Sequence, residues 1–123
     1  MTYLISAIII VLVLAAASMI VIWRMAVKSQ TPIRKPIAHY PDMPYESVSW
    51  KSGGASIAGW FLPPKEDHPG ERSPAIVIAH GWNSNRAIML RYAARLHREG
   101  YAVLLYDARS HGESEPAPAT SGL

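Results

Sequence analysis

The strongest constraint on this chain is an apolar run near its start. Leu4–Trp23 is twenty residues long and contains only two polar side chains, Ser6 and Ser18. A helix of that length spans about 30 Å, which matches the hydrocarbon core of a bilayer, and it satisfies its own backbone hydrogen bonds as lipid requires. The run therefore predicts a transmembrane anchor over residues 1–23, with the lipid bilayer as the partner of residues 4–23.

A cleaved signal peptide is the alternative interpretation of the same run. Small residues at Ala15–Ala17 offer a cleavage site, but the apolar run continues to Trp23 and no basic residue precedes it, so we favour the anchor. Residues 24–35 hold four basic side chains and no acidic one. Because positive charge stays preferentially on the cytoplasmic side, we expect a single-pass membrane protein whose C-terminal part is cytoplasmic.

Charge and composition beyond the anchor exclude several classes of protein. Residues 36–123 carry eight basic and nine acidic side chains, so the positive charge of the chain is a juxtamembrane feature and no nucleic-acid partner is expected. The absence of cysteine excludes disulfides, thiolate zinc sites and cysteine nucleophiles. Four prolines between residues 29 and 44 disfavour a helix there. Residues 24–44 are therefore predicted to be a basic, Pro-rich juxtamembrane linker.

The linker is followed by the pattern of a β-hairpin. Tyr45–Ser52 and Ser56–Leu62 are both strand-like, and Gly53-Gly54 between them tolerates the positive φ angles that a tight turn needs. Trp50 and Trp60 are predicted to pack within this hairpin.

A strand, a helix and a second strand are predicted after the hairpin. Ala75–Ala79 and Ala102–Tyr106 are short continuous apolar runs, and the residues from Arg86 to Arg98 have helical spacing. Strand, helix and strand within about thirty residues predict a right-handed crossover between parallel strands. Strands that are apolar on both sides belong to sheets covered on both faces.

Each apolar strand runs directly into a loop rich in polar residues and glycine. The first loop begins at His80-Gly81 and the second at Asp107. Parallel strands place both loops at the carboxyl edge of the sheet, where open α/β sheets bind ligands.

These features resemble the α/β-hydrolase family over residues 45–115. The resemblance rests on the hairpin, on an apolar strand followed by His80-Gly81, on the amphipathic helix, and on the second loop. Ser110 stands in that loop where many members have glycine. The nearest kind is the membrane-anchored serine hydrolase of the esterase, lipase or aminopeptidase type. The second loop contributes an Asp-x-Arg-x-His-Gly-x-Ser pattern at Asp107, Arg109, His111, Gly112 and Ser114.

The resemblance implies a role for each loop. In this fold one amide of the oxyanion hole comes from the loop after the His-Gly strand, and here that donor is the backbone of Trp82, with Gly81 leaving space for the substrate. His80 is expected to orient the loop by hydrogen bonding. The second loop is expected to be structural, next to the site and outside the catalytic triad. His80 and His111 have no acidic partner at ligand spacing, so no metal site is predicted, and no cofactor is expected.

The sequence contains no Gly-x-Ser-x-Gly motif. In the family this nucleophile elbow follows the next strand, and the catalytic acid and histidine follow later. We therefore expect no catalytic residue within this chain, and an acyl substrate only if missing C-terminal segments complete the site. The predicted fold is α/β: a transmembrane helix, then an incomplete α/β-hydrolase sheet over residues 45–123, made of the hairpin and one βαβ unit. The alternative is a small single-pass membrane protein that uses a degenerate hydrolase half as an interaction surface.

Overall fold

The computed structural model describes residues 1–65 and 72–116. The chain divides into two compact units, Met1–Thr31 and Pro32–Leu123.

The first unit consists almost entirely of helix α1 (Thr2–Ser29). Its two internal serines bond within the helix: Ser6 Oγ and Ser18 Oγ each donate to the backbone carbonyl four residues earlier, at 3.0 and 2.8 Å. The helix continues six residues past Trp23 and ends shortly before Pro32, because the residue that precedes a proline disfavours the helical conformation. By length and apolar composition α1 qualifies to cross a membrane, and a signal sequence meets the same two criteria.

The second unit contains a four-stranded mixed sheet, whose strands are β1 (Glu46–Ser52), β2 (Ala55–Leu62), β3 (Ala75–Ala79) and β4 (Ala102–Tyr106). Their order in the sheet is β1-β2-β4-β3. Strands β1 and β2 form the predicted antiparallel hairpin, and β3 and β4 pair in parallel, as predicted from the two apolar runs. The two halves join through antiparallel pairing of β2 with β4. The fold class predicted from the sequence is therefore confirmed.

The helical segment between β3 and β4 begins differently from the uniform helix expected. A 3₁₀ turn (Arg86–Met89) precedes helix α2 (Leu90–Arg98). Asn85 caps the turn, since its Oδ1 accepts a hydrogen bond from the amide of Ala87 at 3.0 Å. The helix ends at Arg98, and Gly100 two residues later has a φ of +93°, the left-handed conformation common after helices.

The core lies between α2 and the central strands. Trp60, Leu62, Val103 and Leu105 of β2 and β4 are at most 1% exposed, and Ala93 of α2 is fully buried against them. Met89 and Leu96 pack around this cluster, in agreement with the predicted apolar stripe of the helix. In the described part of the chain β3 is an edge of the sheet, and Val77 on it is 62% exposed.

The Pro-rich segment before β1 has no regular secondary structure, and it packs against the second unit. Ile37 and Met43 contact the core, and the ring of Tyr40 lies 5.5 Å from that of Trp60. The compact part of the chain therefore starts at Pro32, thirteen residues before the predicted hairpin.

Candidate functional site

Two loops meet at the carboxyl edge of the parallel strand pair. The last paired residues of β3 and β4 are Ala79 and Tyr106. Loop A (His80–Asn85) and loop B (Asp107–Ser114) therefore start side by side, as the sequence predicts.

Two histidines connect the loops in opposite directions. His80 Nε2, on loop A, accepts a hydrogen bond from the amide of Ala108 at 3.0 Å, while its Nδ1 lies 2.8 Å from the carbonyl of Gly81. His111 Nε2, on loop B, accepts from the amide of Asn83 at 3.3 Å, while its Nδ1 lies 2.9 Å from the carbonyl of Arg109. Since an amide only donates, each Nε2 is the acceptor of its bond, and each Nδ1 faces a carbonyl oxygen.

The two imidazoles also pack against each other. Their ring centroids are 5.1 Å apart. The indole of Trp82 contacts His111 edge-on, with 5.1 Å between the two ring centroids. His111 is 3% exposed, and the side chain of His80 is 1% exposed. Because both nitrogens of each ring are engaged in hydrogen bonds, neither ring has a lone pair available for a metal ion. Within residues 1–65 and 72–116, no group of three or more metal-binding side chains is found.

Asp107 organises loop B from a fully buried position. Its Oδ1 accepts from the amide of Arg86 at 2.7 Å, and its Oδ2 accepts from the amide of Glu113 at 2.9 Å and from the Arg86 guanidinium. A buried carboxylate with a cationic partner and two amide donors has its desolvation offset by charge-assisted hydrogen bonds. The Asp107 carboxylate therefore holds the backbone of loop B in place, and its oxygens face loop backbone, Arg86 and, at 3.9 Å from Oδ1, the Nε2 of His80.

Arg86 is the main residue of this site that sequence reasoning missed. It is 3% exposed, its second Nη group binds the carboxylate of Glu113, and its Cζ lies 4.2 Å from the centroid of the Trp60 ring. Arg86 stands in the first turn after the Asn85 cap, where the helix dipole disfavours a cation. A basic residue at this unfavourable position was the signal in the sequence that could have indicated a buried acidic partner for Arg86.

Gly112 and Ser114 fit around Asp107. Gly112 has a φ of +47°, and a Cβ added to it would lie 2.1 Å from Asp107 Oδ2, so glycine is required both for its backbone and for space. Ser114 is 1% exposed. Its Oγ donates to the Asp107 carbonyl at 2.6 Å and accepts from the amide of Ala58 at 3.0 Å, which fastens loop B to β2.

Arg109 and Glu115 connect loop B to the hairpin. The guanidinium of Arg109 lies beside Gly53 in the β1–β2 turn. Glu115 accepts from the amide of Ser56 at 2.6 Å and from Lys51 Nζ at 3.1 Å. The backbone bond from Ser56, followed by the interaction with Lys51, lowers the pKa of Glu115 below its ordinary value.

Loop A presents backbone amides at this edge. Gly81 has open space around the position of a Cβ, and Trp82 is 45% exposed. Within the described residues, the amides of Gly81 and Trp82 have no hydrogen-bond acceptor. Amide donors of this kind are available to an incoming carbonyl oxygen or anion. Ser114, in a Gly-x-Ser-x-Pro context, is buried with its hydroxyl engaged and does not present a nucleophile there.

A β1-β2-β4-β3 sheet with a His-Gly loop after β3 and a buried-Asp loop after β4 is consistent with the incomplete α/β-hydrolase fold that the sequence predicts. The family model described as serine aminopeptidase, S33 matches residues 70–122. The chain is 46% identical over 46 residues to the thiohydrolase aneE of Aspergillus aculeatus, which is 37% of this chain and 14% of that protein. It is 32% identical over 85 residues to the quorum-quenching protein AidA of Acinetobacter baumannii, which is 68% of this chain and 27% of that protein.

Solved structures agree with these matches. An esterase from Pyrococcus furiosus superimposes with a TM-score of 0.58 and 25% identity, over 75% of this chain and 35% of the esterase. The α/β hydrolase GrgF from a Penicillium species gives a TM-score of 0.51 and 28% identity, over 62% of this chain and 25% of GrgF. The chain has an incomplete α/β-hydrolase fold and is similar in sequence to members of that family. It spans about a seventh to about a quarter of the length of the curated relatives it matches.

Proposed function

We propose that this chain is the membrane-anchored N-terminal portion of a serine hydrolase that acts on acyl substrates, either esters or peptides. In this proposal α1 is the anchor, the C-terminal part is cytoplasmic, and loop A supplies one oxyanion-binding amide, that of Trp82. The catalytic serine, acid and histidine come from sequence beyond these 123 residues. The chain alone is then inactive, because loss of the nucleophile costs such enzymes on the order of a millionfold in rate.

The observation that carries this proposal is the backbone amide of Trp82, which has no acceptor among residues 1–65 and 72–116 and lies on a braced loop at the carboxyl edge of the sheet. Acyl transfer places negative charge on a carbonyl oxygen, and one fixed amide donor stabilises that charge by about 3 kcal/mol in a water-poor site. The two histidine hydrogen bonds hold loop A against loop B before any substrate arrives. In this family the second amide follows the nucleophile, so Trp82 would supply half of the oxyanion hole.

Two features support the anchor. The helix α1 is apolar from Leu4 to Trp23 except for two serines, whose hydroxyls donate to its own backbone, which lowers the cost of placing them in lipid. Arg24 and Lys28 lie at its C-terminal end, where long basic side chains reach the interface between lipid and water.

A fluorophosphonate probe tests the hydrolase proposal directly. Membranes of cells that express the natural gene are incubated with the probe, and labelled bands are compared with the mass of the 123-residue chain. We expect labelling of a larger product, with the purified chain unlabelled. The DNA downstream of the gene is translated in all reading frames and searched for a nucleophile elbow, a catalytic acid and a catalytic histidine. Labelling at the mass of the chain itself, or the absence of these three residues downstream, would refute the proposal.

Protease treatment of intact spheroplasts tests the orientation. A cytoplasmic C-terminal part is protected until the membrane is opened by detergent. Digestion of the C-terminal part from outside would reverse the assignment.

A further inference from the structure

A short segment ahead of the hairpin runs across both loops of the site. Residues 33–36, which we call the strap, have no regular secondary structure. Their polar contacts are made mainly with backbone groups and amide side chains of loops A and B. Neither the prolines nor the basic residues of this segment indicate such contacts in the sequence.

Arg34 holds loop B through two backbone carbonyls. Its Nη2 donates to the carbonyl of Ser114 at 2.7 Å and to that of Gly112 at 3.0 Å, and its Nε lies 3.3 Å from the same Gly112 oxygen. The planar guanidinium reaches two acceptors at once, which a lysine ammonium does not reproduce in the same geometry. The strap is thereby fixed to the loop that carries His111.

Two asparagines connect the strap to loop A. The amide of Ile33 donates to Asn83 Oδ1 at 2.8 Å. Asn85 Nδ2 donates to the carbonyls of Lys35 and Pro36 at 3.1 and 3.0 Å. Both asparagines belong to the loop that begins at His80-Gly81.

Asn83 is the residue through which the strap reaches the candidate oxyanion donor. It follows Trp82 directly and has a φ of +55°, a conformation that asparagine adopts more readily than most residues. Its side chain is held by the strap and its amide by His111 Nε2, so the backbone on the C-terminal side of Trp82 is fixed at two points.

We infer that the strap is a positioning element for loop A, and that Asn83 is the positioning residue that aligns the Trp82 amide. The inference rests on the proposed function, because alignment of that amide matters only if it binds a developing oxyanion. Oxyanion donors act through preorganisation, and a displacement of about 1 Å near a reacting centre lowers the rate by on the order of a hundredfold.

Position 83 offers a matched pair of variants. Asn83→Gly keeps the positive φ and removes the acceptor for Ile33, whereas Asn83→Asp keeps an acceptor oxygen. Lys35→Ala serves as the control, because the strap contact of Lys35 is made by its backbone carbonyl. The 123-residue chain is prepared in lipid nanodiscs, and the protection of the residue 83 amide against hydrogen exchange is measured by NMR together with the Trp82 amide shift and the unfolding midpoint.

We expect Asn83→Gly to lower the protection factor at residue 83 at least about tenfold and to shift the Trp82 amide. We expect the unfolding midpoint of Asn83→Gly to stay close to that of the parent chain. In Asn83→Asp and Lys35→Ala, the protection factor at residue 83 stays within about threefold of the parent value. Unchanged protection in Asn83→Gly would overturn the inference. Loss of protection throughout the domain with a lowered midpoint would also overturn it, because the contact would then be a general structural one.

A second measurement separates this inference from the proposed function. The rate of fluorophosphonate labelling is measured on the natural gene product with the same variants. A rate at least about tenfold lower in Asn83→Gly, restored in Asn83→Asp, supports the positioning role. Equal labelling rates with changed loop protection would overturn the positioning role while the hydrolase proposal stands. An absence of labelling in the unsubstituted product would refute the hydrolase proposal, and the positioning role would fall with it, whatever the loop protection shows.

Discussion

Replacement of Gly112 by alanine tests whether Asp107 is held as rigidly as the structure indicates. The new Cβ would lie 2.1, 2.3 and 2.6 Å from Asp107 Oδ2, Cγ and Oδ1. Contacts under 3 Å require one of the two groups to move. The carboxylate is fully buried and bound by the amides of Arg86 and Glu113, so movement on its side breaks hydrogen bonds that water does not replace.

The magnitude follows from two contributions. An alanine with a φ of +47° costs about 1 kcal/mol relative to glycine. Displacement of the carboxylate leaves buried donors or a buried charge without a partner, which costs about 3–5 kcal/mol when one member of such an ion pair is lost. We therefore expect Gly112→Ala to lower the free energy of unfolding by about 4–6 kcal/mol, a large part of the stability of a small domain.

Gly54→Ala provides the matched control. Gly54 also has a positive φ, +83°, but no atom lies within 4 Å of its added Cβ, so only the backbone contribution of about 1 kcal/mol remains. Urea unfolding in nanodiscs, followed by tryptophan fluorescence, measures both variants. Trp60 lies in the core beside Arg86 and reports on the domain. Equal destabilisation by Gly112→Ala and Gly54→Ala would refute the argument that the Asp107 carboxylate is displaced. The argument would also fail if Gly112→Ala lowered the free energy of unfolding by the same amount in a chain that carries Asp107→Ala.

Two further substitutions test the attachment of loop B to the hairpin. Ser114→Ala leaves the amide of Ala58 without its buried acceptor, so we expect a loss of about 1–3 kcal/mol in urea unfolding, whereas Ser114→Thr retains the hydroxyl and costs less. Glu115 has a lowered pKa, so its bonds to Ser56 and Lys51 stabilise the fold above its ordinary pKa, and this stabilisation is lost as pH falls through the lowered value. Glu115→Gln should therefore lower the urea midpoint at neutral pH and match the parent at strongly acidic pH; a constant difference across pH would contradict this assignment.

The sheet was predictable because its determinants are local in the sequence. Gly53 and Gly54 have the positive φ angles of a tight hairpin turn, and the two continuous apolar runs predict the parallel strands β3 and β4. Of these two, β4 is largely buried, whereas β3 is an exposed edge in the described part of the chain. Once the strands are parallel, the shared edge for loops A and B follows from topology alone. The amphipathic spacing of the helix indicated which of its faces is buried, but the 3₁₀ start at Arg86 depends on its tertiary bond to Asp107.

The contacts that complete the site were not predictable, since most of them use backbone groups. Arg34 and Asn85 bind main-chain carbonyls far away in sequence, and an acceptor carbonyl is present at every residue. Arg86 pairs with Asp107 across 21 positions of the sequence, a separation at which no local pattern links the two residues. Patterns of residue type predict periodic elements and turns, but they do not identify which buried acidic residue pairs with which basic one.

The hydrogen bonds of His80 and His111 hold the two loops together through groups other than the exposed side chain that a ligand would contact. Each bond joins an imidazole nitrogen on one loop to a backbone amide on the other, at Ala108 or at Asn83. Neither bond uses an atom of the Trp82 side chain. The indole at position 82 packs edge-on against His111 but takes part in neither hydrogen bond. The loops are thus held together through backbone amides, and the half-exposed side chain of Trp82 is what a molecule approaching this edge of the sheet would meet.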